Sequence, residues 1–326
     1  MSTQCASFSA GVLDLNAEAE TERIARNVRS QVIDRLRRKG VVLGLSGGID
    51  SAVTAALCVR ALGKERVFGL FMPETDSSPE SLRYGKLVAD ALGIRTQTED
   101  ITTILKAAGC YTRRDEAIRT VVPEFKENYK SKIVLPSLGD ETRYSVYSVV
   151  VAAPDEREFK TRLTAEAYRK IVASTNFKQR ARKMMEYYYA DLLNYANAGT
   201  GNRLEHELGF FVKNGDGAAD LKPIAHLYKT QVYQLAAHLD IPAEIRQRTP
   251  TTDTYSLEQT QEEFYFSIPL AKMDLCLYAR NHAVAAEDVA RVIALPVEQV
   301  RQVYAQIDSK RAATKYQRTE ALFVGE

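Results

Sequence analysis

The sequence predicts an α/β fold: an open parallel sheet with helices on both faces, followed by a helical C-terminal part. Three observations carry this. Short β-rich runs alternate with amphipathic helical stretches over the first 108 residues or so, which calls for parallel strands joined by crossover helices. The run "VVLGLSGGIDSAVTAAL" (41–57) passes from an apolar strand through a Gly-Gly turn into a helix of small residues. The last third of the chain shows helical spacing with few strand signals.

The elements follow in order. Residues 17–38 carry Ile24, Val28, Val32, Ile33 and Leu36 on one helical face, and Gly40 ends that helix. A strand is expected at 41–45, a helix at 51–62 and a second strand at 66–72. "SPESLRYGKLVADALG" opens on Ser-Pro-Glu, a helix entry, and closes on Gly93. A more polar third strand, "IRTQTED", leads to a helix at 101–108. Residues 110–163 break the rhythm and read as an insertion or flap with a strand-like stretch at 143–153. It is either a lid over the ends of the strands or a surface elaboration. A long helix is expected at 164–195, then a Gly-rich polar stretch through "NAGTGNRLEHELGFFVKNGDGAADLKPI". Helices are expected at 228–239, 256–283, 286–294 and 296–307. The chain reads as a single domain, 1–326, with the 110–163 insertion and a helical portion at 256–326.

Composition narrows the function classes. The chain of 326 residues is 45% hydrophobic and 26% charged, ample for a substantial core. A net charge of +2 gives no reason to expect nucleic acid or an anionic membrane as partner. The N-terminus lacks a signal-peptide pattern, and no apolar run is long enough to span a bilayer. Cys5, Cys58, Cys110 and Cys276 are too scattered for a redox pair or a zinc knuckle, and Cys58 reads as a buried thiol. A reducing cytoplasm fits.

A strand, a Gly-rich turn and a helix N-terminus form an anion site, because the first N–H groups of the helix lack intrahelical acceptors and its dipole favours negative charge. Gly47 and Gly48 admit close approach of phosphate oxygens, and Ser46 and Ser51 add hydroxyls. The turn lacks the lysine of GxxxxGK[ST] and the spacing of GxGxxG. Asp50 would repel a phosphate unless a Mg²⁺ ion bridged the two. The plain alternative is an ordinary turn with a helix cap.

SGGIDS (46–51) resembles the pyrophosphate loop of the ATP pyrophosphatases that form adenylates, whose sheet is Rossmann-like and of the adenine nucleotide alpha hydrolase type. Within that group, "NFKQRARKM" and "YYYA" (176–190), "GTGNRLE" (199–205), "GFFVKNGDGAADLKPI" (209–224), "LYKTQV" (227–232) and "PTTD" (250–253) resemble the ammonia-dependent NAD⁺ synthetases. The resembling segments fall between about residues 20 and 260, with 110–163 outside them.

The resemblance implies ATP-dependent adenylation of deamido-NAD, then amidation by ammonia, with release of AMP and pyrophosphate. It implies that Ser46, Gly47, Gly48, Ile49, Asp50, Ser51, Thr200, Lys229 and Thr251 bind ATP, with Ser46, Asp50 and Lys229 catalytic. It puts Mg²⁺ on Asp50 and Glu205, and deamido-NAD on Arg180, Lys213, Asp220 and Lys310. Taken alone, Glu205 would be a solvated helix residue, Lys229 a surface lysine and Asp216 a turn former. Tyr187, Tyr188 and Tyr189 read as core and dimer packing.

The departures fall mainly on the acceptor side. NKSE is replaced by Asn202-Arg203-Leu204-Glu205, the C-terminal His-Lys-Arg survives only as Ser309-Lys310-Arg311, and Arg248 stands where lysine is usual. A related amide ligase acting on another carboxylate is therefore the alternative. A tRNA sulfur-transfer enzyme would want a catalytic cysteine pair and a basic surface. A nucleotide-binding pseudoenzyme would not need Asp50, Glu205 and Lys229 together. The segment before Ser46 is too short for a glutamine-hydrolysing domain, so free ammonia or a separate amidotransferase is expected to supply nitrogen. A homodimer with helix 164–195 at its interface is also implied.

Overall fold

The computed structural model of the protein describes residues 8–134, 147–155, 157–251, 254–261, 265, 266 and 268–324. α1 (Ala17–Arg29) leads to β1 (Val41–Gly44), α2 (Ile49–Leu62), β2 (Val67–Phe71), α3 (Pro79–Leu92) and β3 (Arg95–Thr98). α4 (Thr102–Ala107) and α5 (Cys110–Arg119) precede β4 (Lys130–Val134), β5 (Ser148–Ala152) and β6 (Glu158–Arg162). The long α6 (Ala165–Leu193) then feeds β7 (Ala196–Asn197), α7 (Arg203–Leu208), α8 (Lys229–His238) and α9 (Ala243–Gln247). α10 (Leu270–Asn281), α11 (Ala286–Ile293), α12 (Val297–Ala313) and α13 (Lys315–Arg318) complete the helical end.

The main sheet is parallel, in the order β3-β2-β1-β7. β1 is continuous Val-Val-Leu because both of its faces are covered. On one face the core gathers α1, α2 and α8 around Val41 and Leu43. On the other, Val42 and Leu70 pack against Ala190 of α6 and Tyr195. β3 is wholly exposed, which explains its polar Arg-Thr-Gln-Thr sequence at the sheet edge. The strand order reverses direction between β1 and β7, so the loops after these strands diverge and leave a crevice at their carboxyl ends.

Four expectations are corrected. The first helix is not α-helical to residue 38: it widens into a π-helix over Ser30–Arg35, closed by the Leu36 N–H on the Gln31 carbonyl at 2.9 Å. The polar stretch after residue 195 begins with a strand, β7, that is too short to show alternation. The helix expected at 256–283 is not continuous: residues 256–259 lie beside β4, and α10 begins at Leu270 with Pro269 as its N-cap. The last long helix runs on past residue 307 to Ala313.

The 110–163 stretch opens with α5 and continues into an antiparallel sheet in the order β4-β5-β6. The strand-like reading of 143–153 holds for β5, and residues 143–146 lie outside the described residues. Ile133, Val149 and Val151 on the inner face of this sheet pack on α5 and on Ala167 and Ile171 of α6. Cys58, Cys110 and Cys276 are buried free thiols, and burial pushes Cys58 up to about 12. Among the described residues, no helix is long and apolar enough to cross a membrane.

Candidate active site

Gly48 is the N-cap of α2, so the first-turn N–H groups of Ile49, Asp50 and Ser51 point from the end of β1 into the crevice. The two glycines of the turn serve different ends. Gly47 has φ +77°, and a Cβ there would lie 2.4 Å from the Ser81 carbonyl of α3, so it allows the turn to pack on the protein. A Cβ on Gly48 would meet nothing closer than Ser46 Oγ at 3.4 Å, so this residue keeps the backbone open to a ligand. The Ser51 hydroxyl donates to the Gly48 carbonyl at 2.9 Å and lies 3.2 Å from Ser46 Oγ, which also accepts from the Gly48 N–H at 3.3 Å. These hydroxyls shape the turn as well as facing the crevice.

α7 enters from the other side of the crevice. Asn202 and Glu205 form a capping box: Asn202 Oδ1 accepts from the Glu205 N–H at 3.2 Å, and Glu205 Oε2 accepts from the Asn202 N–H at 3.0 Å. Asn202 Nδ2 also donates to Asp50 Oδ1 at 3.1 Å, tying the N-terminus of α7 to that of α2. Asp50 pairs with Lys229, the first residue of α8, whose side chain is 2% exposed. Burial would lower the Lys229 pKa, but the Asp50 and Glu205 carboxylates outweigh it and hold the amine above its ordinary value. Burial, then the Asp50 charge, pushes the Glu205 carboxyl up to about 8.

Two carboxylates thus face one ammonium, and the second ionises with difficulty. Such hard oxygen donors suit a divalent cation that shares its remaining positions with phosphate oxygens and water. Among the described residues no three His, Cys, Asp or Glu side chains converge on one point, so the protein alone does not complete a coordination shell.

These groups line a cavity of about 170 Å³ with Thr200, Arg248 and Thr251. Arg248 reaches the Gly47 carbonyl, Ser81 Oγ and Thr251 Oγ1, each at 3.4 Å, and stacks 5.0 Å from the Tyr84 ring. A second cavity of about 510 Å³ adjoins the first, and Ser46, Thr200, Glu205, Thr251 and Gln261 line both. Arg180, Arg182 and Lys213 line the second cavity, together with the carboxyl groups of Glu186, Glu205 and Asp216.

Among the residues expected to bind ATP or metal, Ser46, Gly48, Ile49, Asp50, Ser51, Thr200, Glu205, Lys229 and Thr251 are brought together, and Gly47 stands just behind them. Of the four acceptor-side expectations, Arg180 and Lys213 line the larger cavity, while Asp220 and Lys310 line neither. Arg180 Nε donates to the Lys213 carbonyl at 3.3 Å. Asp220 accepts from the Asn197 N–H at 2.7 Å and from the Tyr187 hydroxyl at 3.2 Å. Lys310 bonds the Tyr265 carbonyl, and burial lowers its amine to about 8.

Tyr316 and Gln317 reach the larger cavity from the C-terminal end instead, where Lys213 Nζ holds the Tyr316 and Thr319 carbonyls at 3.1 and 2.7 Å. The sequence reading missed Asn202 and Gln261 as well. The N-x-x-E spacing of a capping box was visible for Asn202, but nothing local signalled Gln261 or Tyr316.

A family profile described as NAD synthase matches residues 20–135 and 137–321, running through the 110–163 stretch and well past residue 260. The NH(3)-dependent NAD(+) synthetase of Rhizobium meliloti strain 1021 is 56% identical over 309 residues, covering 95% of this chain and 92% of that protein. Among solved structures, the NMN synthetase of Francisella tularensis superposes with a TM-score of 0.65 at 21% identity, covering 96% of this chain and all (100%) of that one. The NH3-dependent NAD synthetase of Campylobacter jejuni, in complex with nitrate, gives 0.62 at 23%, covering 95% of this chain and 100% of its own. At these identities the two structures speak for the fold.

Proposed function

The chain belongs to the NAD synthase family, and on that premise we propose that it is an ammonia-dependent NAD⁺ synthetase, converting deamido-NAD, ATP and ammonia to NAD⁺, AMP and pyrophosphate. The observation that carries this reading is the seam between the two cavities. An anion-binding helix end with Asp50, Glu205 and Lys229 opens directly into a second cavity, lined by Arg180, Arg182 and Lys213 among others and large enough for part of a dinucleotide.

In this reading the triphosphate lies along the N-terminus of α2, with its pyrophosphate end on Ser46, Gly48 and Ser51. Lys229 and Arg248 meet the charge that grows on the departing pyrophosphate. The nicotinate carboxylate, held from the side of Arg180 and Lys213, attacks the α-phosphorus. The bond from that phosphorus to the bridging oxygen breaks, and pyrophosphate leaves with the electron pair. Ammonia then adds to the acyl carbon, AMP leaves with the C–O electrons, and the surplus proton passes to water. Asp50 and Glu205 would hold Mg²⁺, which when bound neutralises phosphate charge. Glu205 would then be ionised, because the cation supplies the positive charge that its surroundings lack.

Asp220 fixes the end of β7, and Lys310 the wall behind Tyr265; their part in binding deamido-NAD is indirect in this arrangement. A second copy of the chain fits the exposed stripe Met184, Tyr188 and Leu192, spaced four residues apart on α6. The protein would work in the cytoplasm on free ammonia or ammonia from a separate glutamine amidotransferase. A steady-state comparison of deamido-NAD with its mononucleotide counterpart and other carboxylates tests the acceptor. A carboxylate preferred over deamido-NAD would turn the reading into that of a related amide ligase.

A further inference from the structure

Thr251 and Gln261 both reach the seam, and Gln261 Nε2 lies 3.5 Å from Glu205 Oε1. Thr251 bridges Thr260, and the Gln261 N–H donates to the Pro250 carbonyl at 3.0 Å, so the two residues stand at the base of one chain excursion. The far part of that excursion is fixed from two directions. The 110–163 sheet holds one flank: the Ser131 N–H donates to Ser256 Oγ at 2.9 Å, the Leu257 N–H to the Ser131 carbonyl at 3.2 Å, and Gln259 Nε2 to the Ile133 carbonyl at 2.6 Å. Tyr255 is buried in the same apolar cluster as Ile133, Val151 and Ile171.

α6 holds the other flank through Lys178. This side chain is 1% exposed, and its ammonium donates to the Thr254 carbonyl and to Asp76 Oδ2, each at 2.7 Å, with Glu74 at 2.9 Å. Glu74 and Asp76 follow β2, and Asp76 is tied in turn to Arg114 of α5. A buried ammonium has three N–H donors, and each needs an acceptor. Here one of its protons goes to a peptide oxygen of a distant segment, which fixes where that segment lies. Lys178 and Gln259 line neither cavity.

We propose that Lys178 is a positioning residue: with Gln259 and the 110–163 sheet it clamps residues 254–259, and so sets Thr251 and Gln261 at the ATP-side cavity. The assignment of that cavity to ATP rests on the function proposed above. The clamp gives the 110–163 stretch a catalytic part other than that of a lid.

The test uses the full-length protein, with ATP binding by calorimetry in the presence of Mg²⁺ and hydrogen exchange read by mass spectrometry. Lys178→Met and Gln259→Met approach the clamp from opposite flanks. Each should weaken ATP binding, Lys178→Met by about tenfold, the scale of one lost hydrogen bond from a charged donor. Each should speed exchange in peptides spanning 249–261 while peptides from β1 and α2 keep their wild-type rates. Lys178→Arg, which keeps charge and donors, should restore part of the affinity.

If both Met variants bind ATP within twofold of wild type, or if exchange rises equally throughout the molecule, Lys178 and Gln259 are merely structural and the inference falls. Should Lys178→Met not fold, Gln259→Met and Lys178→Arg decide by the same criteria. Wild-type protein that bound no ATP would refute the proposed function instead, and the exchange pattern would still judge the clamp.

Discussion

Replacing Glu205 with glutamine should stabilise the metal-free protein at alkaline pH while abolishing turnover. The native Glu205 carboxyl sits near 8, raised by burial and then by Asp50, against an ordinary value of 4.5. A carboxyl held above its unfolded value binds its proton more tightly in the folded state. Its contribution to stability is therefore complete below about pH 4.5 and is lost as the pH rises towards 8. The full displacement is worth about 5 kcal/mol, of which the interval from pH 5 to pH 8.5 spans about 3–4 kcal/mol. The amide of the Glu205→Gln variant would keep an oxygen to accept from the Asn202 N–H, so the capping box survives. Chemical denaturation of both proteins without divalent cation, at pH 5 and pH 8.5, measures the effect. The wild type should lose about 3–4 kcal/mol more than the variant over that interval. Equal pH slopes, or a variant less stable than wild type at pH 8.5, would show that Glu205 is an ordinary ionised carboxylate and remove the argument for a cation beside it.

Three other variants probe the rest of the site. Asp50→Asn should cut turnover at least about 100-fold at saturating Mg²⁺ with the circular dichroism spectrum unchanged; near-wild-type rates would refute the metal assignment. Lys213→Ala should raise the KM for deamido-NAD about tenfold and leave the KM for ATP within about twofold, since Lys213 lines only the larger cavity; equal effects on both would deny it an acceptor-side role. Met184→Glu combined with Leu192→Glu should convert a dimer to monomer in analytical ultracentrifugation, because two charges would enter the apolar stripe of α6; an unchanged sedimentation coefficient would place the interface elsewhere.

The sheet and the phosphate end of the site were legible because their signals are local. Val41 to Leu43 announce a strand covered on both faces, and Ser46 to Ser51 carry a turn and a helix start within six consecutive positions. The capping box tying Asn202 to Glu205 was equally local, yet Asn202 was missed. Position in a matching string was enough to single out Lys229, but not to show that its ammonium is buried between two carboxylates. What escaped depends on contacts between distant segments. β7 is only 2 residues long, too short to show a period, and exists because β1 offers it an edge. The 256–269 region has helical composition, but Ser256 and Gln259 find partners on β4 and Pro269 resets the start of the next helix. At the C-terminal end, Lys310 faces Tyr265 while Tyr316 turns into the cavity, a choice made by how α12 and α13 pack.

Product stoichiometry tests the central claim most directly. Purified protein given ATP, Mg²⁺, deamido-NAD and ammonium should form NAD⁺, AMP and pyrophosphate in equal amounts. Glutamine in place of ammonium should yield no NAD⁺. AMP formed without NAD⁺, or NAD⁺ formed from glutamine by the lone chain, would contradict the account.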